Sequence, residues 1–339
     1  MDLAWNLRLL AQRARSVLHN RRTIPRRILL VGVRARRHHA RCMEILTRAQ
    51  AHRDGTSDAQ LQRAVRRGEL HRIAAGIYMR ADHFRELDAR ARHRCAVMVA
   101  AESCGPGAIV SHASAAVMHG LDCGGLRLGA VHMTRNRCSG GRKSQTLHLH
   151  PAVVPAEEVV LIDGVATTSL ARTFVDLART TPFETAVVIG DCALRRGMRR
   201  ENVDASLDHA RGRLGMSRAR VAATFIEPGA ESPGESISRV RMRDDGWPMP
   251  TLQHEIRHGG RFIGRVDFFW KEHGVVGEFD GMVKYRGDNP GRAVEREKLR
   301  EDAIRDAGFE VFRWVWADLR DFERVRERFE RACLRGAAR

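Results

Sequence analysis

With 339 residues and 43% hydrophobic content, the chain is long enough for two or three domains and apolar enough to bury their cores. No apolar run approaches the ~18 residues of a membrane span, and the seven scattered cysteines include no CxxC pair that would suggest a disulfide framework or a cysteine zinc site. A reducing, cytoplasmic setting is expected, and the net charge of +18 points to a polyanionic partner.

That charge is uneven. Residues 1–42 hold eleven arginines against the single acid Asp2, a net +10. Lysine stands only at positions 143, 271, 284 and 298, so part of the basicity is a bias toward arginine rather than a binding footprint. The first 42 residues resemble a transit peptide in composition but lack the apolar core and cleavage pattern of a secretory signal. They read either as a disordered basic arm or as an extension upstream of a start at Met43.

Residues 43–82 read as a small unit. Glu44–His52 carries a short helical pattern, and Ser57 can cap a second helix to about Arg67 with Leu61, Ala64 and Val65 inward. Strands at Leu70–Ile73 and Gly76–Met79 follow. Helix, helix and two-stranded wing is the winged helix-turn-helix order, whose second helix enters the DNA major groove. Gln60, Arg63, Arg66, Arg67 and Arg72 are of the types that reach bases and phosphates, although the same residues also suit a solvated helix face. The run Leu46–Gln50, Leu61–Gly68 and Ile73–Tyr78 resembles the N-terminal domain of the AbiE-type antitoxins of type IV toxin–antitoxin systems. That resemblance implies binding to promoter DNA.

Residues 83–226 read as an α+β region. A helix is expected from about Arg85 to Ser103, another from Ser111 to Gly120, then strands at Gly129–Thr134, Thr146–His150 and Val159–Asp163. Helices near Thr168–Leu177 and from Phe183 follow. Ser111-His112 through Gly120, with Asp163-Gly164-Val165 and Arg172–Leu177, is similar to the middle region of AbiE-like antitoxins. His148 and His150 share one face of a strand, and His112, His119 and His132 lie elsewhere, but no third ligand stands at a diagnostic metal spacing.

Residues 231–339 carry the chemistry. Ser232-Pro233-Gly234-Glu235 is a capping box that opens a helix; strands, a charged helix from Arg292 to Ala307, a strand to Trp316 and a closing helix give the order αβββαβα. The organising stretch is Gly264–Gly281, a hairpin turning at Glu272-His273, in which residues whose numbers sum to 545 pair. Val266, Phe268 and Trp270 then form an apolar side, and Asp267 lies opposite Glu278 with Asp280 further along. Opposed carboxylates repel. A metal site of Asp267, Glu278 and Asp280 holding Mg2+ or Mn2+ would resolve that repulsion.

Asp on the second strand and Glu278-Phe279-Asp280-Gly281 on the third resemble the PD-(D/E)XK nucleases, and more closely the branch related to very-short-patch-repair endonucleases. The resemblance implies that Asp267 and Glu278 are metal-binding carboxylates, that Asp280 occupies the variable third position, and that Glu235 completes the catalytic set. The superfamily's lysine is missing where Asp280 stands; Lys284 and Lys298 are the candidates to replace it. The expected architecture is therefore multidomain α/β: a winged helix, an α+β middle region and a restriction-endonuclease-like domain. The expected function is a DNA-binding, metal-dependent endonuclease. The alternatives are a non-catalytic antitoxin-like regulator that acts on its own promoter or a cognate toxin, and an RNA-directed nuclease.

Overall fold

The structure, a computed structural model, describes residues 45–105, 107–122, 124–137, 139–281 and 290–337, with backbone alone at 290–294. The basic extension over 1–42 and Lys284 lie outside the described residues. The chain is mixed α/β and divides into two compact units, one of residues 1–177 and 202–211, the other of 178–201 and 212–339. The boundary expected between 226 and 231 therefore falls inside the second unit.

The first unit starts with strand β1 (Ile45–Thr47), helix α1 (Arg48–Arg53), helix α2 (Asp58–Arg66) and strands β2 (Leu70–Ala74) and β3 (Ile77–Arg80). The strands order β1-β3-β2, all antiparallel. Residues 45–47, expected to be helical, are instead a strand, because pairing Ile45 with Met79 and Thr47 with Ile77 outweighs the local periodicity. Ala51, Leu61 and Tyr78 close the small core. The single helix expected over 85–103 is two, α3 (Ala81–Glu86) and α4 (Ala89–Cys104), since Asp88 turns extended and caps the second by accepting from the Ala91 amide at 2.7 Å.

Strands β4 (Ala108–Val110), β5 (Val131–Arg135), β6 (Arg142–Lys143), β7 (Leu147–Pro151), β8 (Val159–Ile162) and β9 (Val165–Thr168) make a mixed sheet ordered β6-β7-β5-β4-β9-β8, with helix α5 (His112–Met118) between β4 and β5. Val97, Val110, Met118 and Met133 fill its core. Helix α6 (Leu170–Ala178) follows β9 and buries Arg172 completely; its guanidinium meets Glu158 at 2.5 Å and Asp176 at 2.9 Å. A charge at that depth is tolerated because both carboxylates answer it.

In chain order the next helices are α7 (Phe183–Arg195), α8 (Arg200–His209), α9 (Met216–Phe225) and α10 (Pro233–Asp244). Helices α7 and α9 belong to the second unit, and buried Asp191 ties α7 to α10 by accepting from Arg239 at 2.9 Å and Ser236 at 2.8 Å. Then come β10 (Thr251–His258), β11 (Arg261–Trp270), β12 (Val275–Asp280), α11 (Pro290–Asp306), β13 (Glu310–Val315) and α12 (Glu323–Ala337). The sheet runs β10-β11-β12-β13, with only the last pair parallel. One cluster, built on Phe268, Trp270, Phe312 and Trp314, includes Met242 of α10 and Phe329 of α12. The second, of Ile256, Val266, Phe269, Val276 and Val311, takes Ile304 of α11. Each fully buried aromatic ring contributes on the order of 2–3 kcal/mol. Gly234 has no substitute here: a Cβ on it would stand 1.9 Å from the Phe279 ring, so its absence lets α10 close on β12.

Candidate functional site

The hairpin keeps the expected register, with Phe268 opposite Gly277 and Trp270 opposite Val275. Its loop is longer than the two residues expected: a tight turn over Lys271–His273 is closed by Gly274 at φ 61°. The pairs still sum to 545 because the extra loop residues come equally from both strands. The expected apolar side is split, however. Val266 joins the α11-side core, whereas Phe268 and Trp270 join the other.

The cause lies at Asp267 and its neighbour across β10. The β10–β11 ladder pairs Leu252 with Phe268 and His254 with Val266 but skips Gln253 and Asp267, and Gln253 takes φ 51°. A non-glycine residue in the left-handed region stores strain, here at the position that turns the two strands. Gln253 donates its amide to Asp267 Oδ1 at 3.2 Å and to Glu235 Oε2 at 3.0 Å. Asp267 Oδ2 accepts the Phe279 amide at 3.0 Å.

Only half of the expected capping box forms: Ser232 Oγ accepts the Glu235 amide at 3.2 Å. The Glu235 carboxylate accepts from Ser232 Oγ at 2.7 Å and from the Glu231 amide, not the Ser232 amide, at 2.8 Å. Burial, and then the charge of Asp267, push its carboxyl above the usual range. The sequence-predicted pair Glu235 and Asp267 is thus brought together through one shared glutamine.

Glu278 and Asp280 are held elsewhere. Glu278, 3% exposed, accepts from Arg300 Nη2 on α11 at 2.6 and 2.7 Å, and Arg313 on β13 stands 3.0 Å away. Asp280 pairs with Arg313 at 3.4 Å. Glu297 joins both arginines, each at 2.5 Å, and its carboxyl is pulled down to about 2 by these contacts, Arg300 first. Burial pushes Glu278 the other way, against the pull of Arg300 and Arg313. Lys298 is exposed on α11 and is not among the cations paired with these acids; Arg300, two residues on, does that work. Sequence reasoning looked for lysine near the carboxylates and so missed Arg300 and Arg313.

Mg2+ asks for a tight octahedron of oxygens with few positive neighbours. Among the described residues, Asp267, Glu278 and Asp280 do not form a three-ligand cluster, and two guanidinium groups already occupy the Glu278 end. The three carboxylates in this arrangement do not fit the ion.

Of the candidate DNA contacts, Gln60 is committed to capping α2: its Oε1 accepts the Ser57 amide at 2.7 Å. Arg63, Arg66, Arg67 and Arg72 are exposed, with Arg67 near Glu69 at 3.8 Å. Arg66, Arg72 and Arg48 line one open groove of about 970 Å³, opposed by Asp58 and Glu102.

What does cluster is a set of histidines. His112, His132 and His150 place ligand nitrogens within 4.8 Å of one another. Parallel pairing of β5 with β7 sets His132 beside His148 and Thr134 beside His150, and His112 enters from the start of α5. Burial, and then His150 and His148, push His132 down to about 3. The alternation of His148 and His150 was visible in the sequence; that β5 and α5 supply the other two rings was not.

No family model matches the chain. It is similar to the uncharacterized proteins MT2308 and Rv2248 of Mycobacterium tuberculosis (strains CDC 1551 / Oshkosh and ATCC 25618 / H37Rv), each 30% identical over 215 residues, which cover 63% of this chain and 76% of the relative. The chain belongs to their family. The crystal structure of the RV2827C protein from Mycobacterium tuberculosis superposes with a TM-score of 0.36 at 16% identity, over 64% of this chain and 82% of that one. Among the described residues, no helix is long and apolar enough to cross a membrane.

Proposed function

We propose that this protein is a DNA-binding regulator of the antitoxin-like kind. In this reading residues 45–80 act as a winged helix, and the second unit is a nuclease-like fold in which Glu278 and Asp280 are paired with arginine instead of a divalent ion. The observation that carries it is the Arg300–Glu278 pair, reinforced by Arg313. Those cations take up the charge of Glu278 that a catalytic metal would otherwise answer, which leaves the domain without the means to activate water.

Exposed Arg63 and Arg66 on α2 supply phosphate contacts, which set position and not sequence. Its own promoter and a cognate toxin are the partners this reading names.

The test pairs binding with cleavage. Purified full-length chain is titrated with duplex DNA from its own promoter at several salt concentrations and incubated separately with plasmid in Mg2+ or Mn2+. Salt-dependent binding without cutting is expected, and Arg66→Ala lowers the salt slope by about 1. Cutting that Asp267→Ala abolishes in a folded protein overturns the non-catalytic reading. One observation favours that second reading, a Mg2+- or Mn2+-dependent endonuclease: Glu235 and Asp267 share Gln253, and two adjacent carboxylates are the start of a cation site.

A further inference from the structure

We propose that His112, His132 and His150 form a binding site for one divalent ion of the zinc class. The site lies in the first unit and is independent of the DNA-binding reading.

Three features of the fold build it. Ser111 ends the short connection from β4, and His112, the first residue of α5, sits at φ 50° while only 3% exposed. A buried non-glycine residue in that region is strained, and strain of this kind persists where surrounding structure fixes a side chain for use. Its ring stacks on His150 with centroids 4.0 Å apart. His132 Nδ1 and His150 Nε2 stand 3.0 Å apart on neighbouring parallel strands.

The surroundings hold the rings in register. Ser111 Oγ lies 3.0 Å from His112 Nδ1 and accepts from Thr134 Oγ1 at 2.8 Å. Ser111 also donates its amide to the His132 carbonyl at 3.0 Å, and the His132 amide donates to Ser114 Oγ at 2.8 Å. Buried His93 braces Ser114 in turn, its Nε2 2.8 Å from the hydroxyl. A hydrogen bond to the second nitrogen of a ligand histidine fixes its tautomer and ring direction, and the Ser111 hydroxyl is placed to make it for His112.

The donor set decides the ion. Three imidazoles suit zinc and its neighbours, while Mg2+ and Ca2+ require oxygen ligands. A tetrahedral zinc with bonds of about 2.0–2.1 Å places its nitrogens roughly 3.3 Å apart. The His132–His150 pair is already near that spacing, and the whole set lies within 4.8 Å. Closing on one ion takes a turn of the stacked His112 or His150 ring about its side-chain torsions, so that the in-plane lone pairs converge. Three protein ligands leave the fourth position for water or a substrate atom, the arrangement of catalytic zinc rather than of closed structural sites.

The test uses the full chain without a polyhistidine tag, stripped with chelator and then exposed to zinc or to Co2+ at micromolar concentration. About one zinc per chain should survive gel filtration, and the Co2+ form should show visible ligand-field absorption from a low-symmetry nitrogen site. His150→Gln and His132→Gln should each lower metal content at least several-fold while circular dichroism stays that of the parent. Folded variants that retain the metal overturn the proposal. Should both variants fail to fold, the parent chain decides: no retained zinc and no Co2+ absorption overturn it, whereas retained zinc with the absorption supports it.

Discussion

The two clusters of ionisable side chains in this molecule solve opposite problems. In the second unit, acids crowd together and the chain supplies its own counter-charges, Arg300 and Arg313. In the first unit, imidazoles crowd together, and a neutral ring needs no counter-charge to be buried. Crowded carboxylates invite a cation in proportion to the negative charge left uncompensated, and at Glu278 two arginines already answer it. A neutral imidazole carries a donor lone pair without carrying a charge, so crowding such rings sets up no repulsion of like charges. The motif that looked like a metal site is therefore the poorer ligand set, and the histidines with no diagnostic spacing are the better one.

The strongest way to break this contrast is to remove the counter-charge. Arg300→Met leaves Glu278 buried with Arg313 as its remaining cation, and the protein should lose about 3 kcal/mol in urea denaturation. Adding Glu278→Gln should restore part of that loss, because the unpaired charge disappears with it. A single variant as stable as the parent would mean that the arginine is not what neutralises the acid. Next in size is the response to metals. Zinc at a hundred times its dissociation constant should stabilise the chain by about 2.7 kcal/mol, read as a rise in thermal midpoint, while Mg2+ at the same concentration should do nothing. A reversed order would transfer the ion site from the imidazoles to the carboxylates.

What the sequence revealed and what it hid divide along contact range. The Ser232 cap on the Glu235 amide, the stop at Gly308 and the pairing of Phe268 with Gly277 and Trp270 with Val275 are set by neighbours a few residues apart, and these stand in the structure as read. The features that decide the site are set at long range. Gln253 adopts φ 51° because two strands turn at Asp267, and nothing local announces it. Arg300 and Arg313 reach Glu278 across 22 and 35 residues of chain, from a helix and a strand that periodicity places but does not orient. Residues 45–47 show the same limit, since a helical pattern gave way to pairing with β3.

A smaller effect distinguishes base reading from capping at α2. Ser57→Ala should cost about 1 kcal/mol by removing the acceptor for the Gln60 amide. Gln60→Ala should likewise reduce stability, by deleting the acceptor of the Ser57 amide at 2.7 Å, and leave discrimination between DNA sequences unchanged. Competition binding with two unrelated duplexes reads the second quantity. A change in preference would return Gln60 to the DNA interface and weaken the view that this helix contacts phosphates alone.

The smallest effect is in acid, where the arginine-bound acids oppose one another. Glu297 has its carboxyl lowered from 4.5 to about 2, first by Arg300 and then, against some burial, by Arg313. Between those values the unfolded chain binds the proton and the folded one does not, so this group's stabilisation is complete above about pH 4.5 and is lost as pH falls toward about 2. Glu278 runs the other way: burial raises its carboxyl, so the folded chain takes up a proton first and gains relative stability on acidification. Glu297→Gln removes only the first contribution. Its thermal midpoint should therefore fall less than the parent's between about pH 5 and about pH 3. Because the Glu297 side chain is 37% exposed, solvent screening keeps the difference modest. A variant that loses more stability than the parent over that interval would show that the arginines hold Glu278, and not Glu297, in its charged form, and that the buried acid is fully compensated.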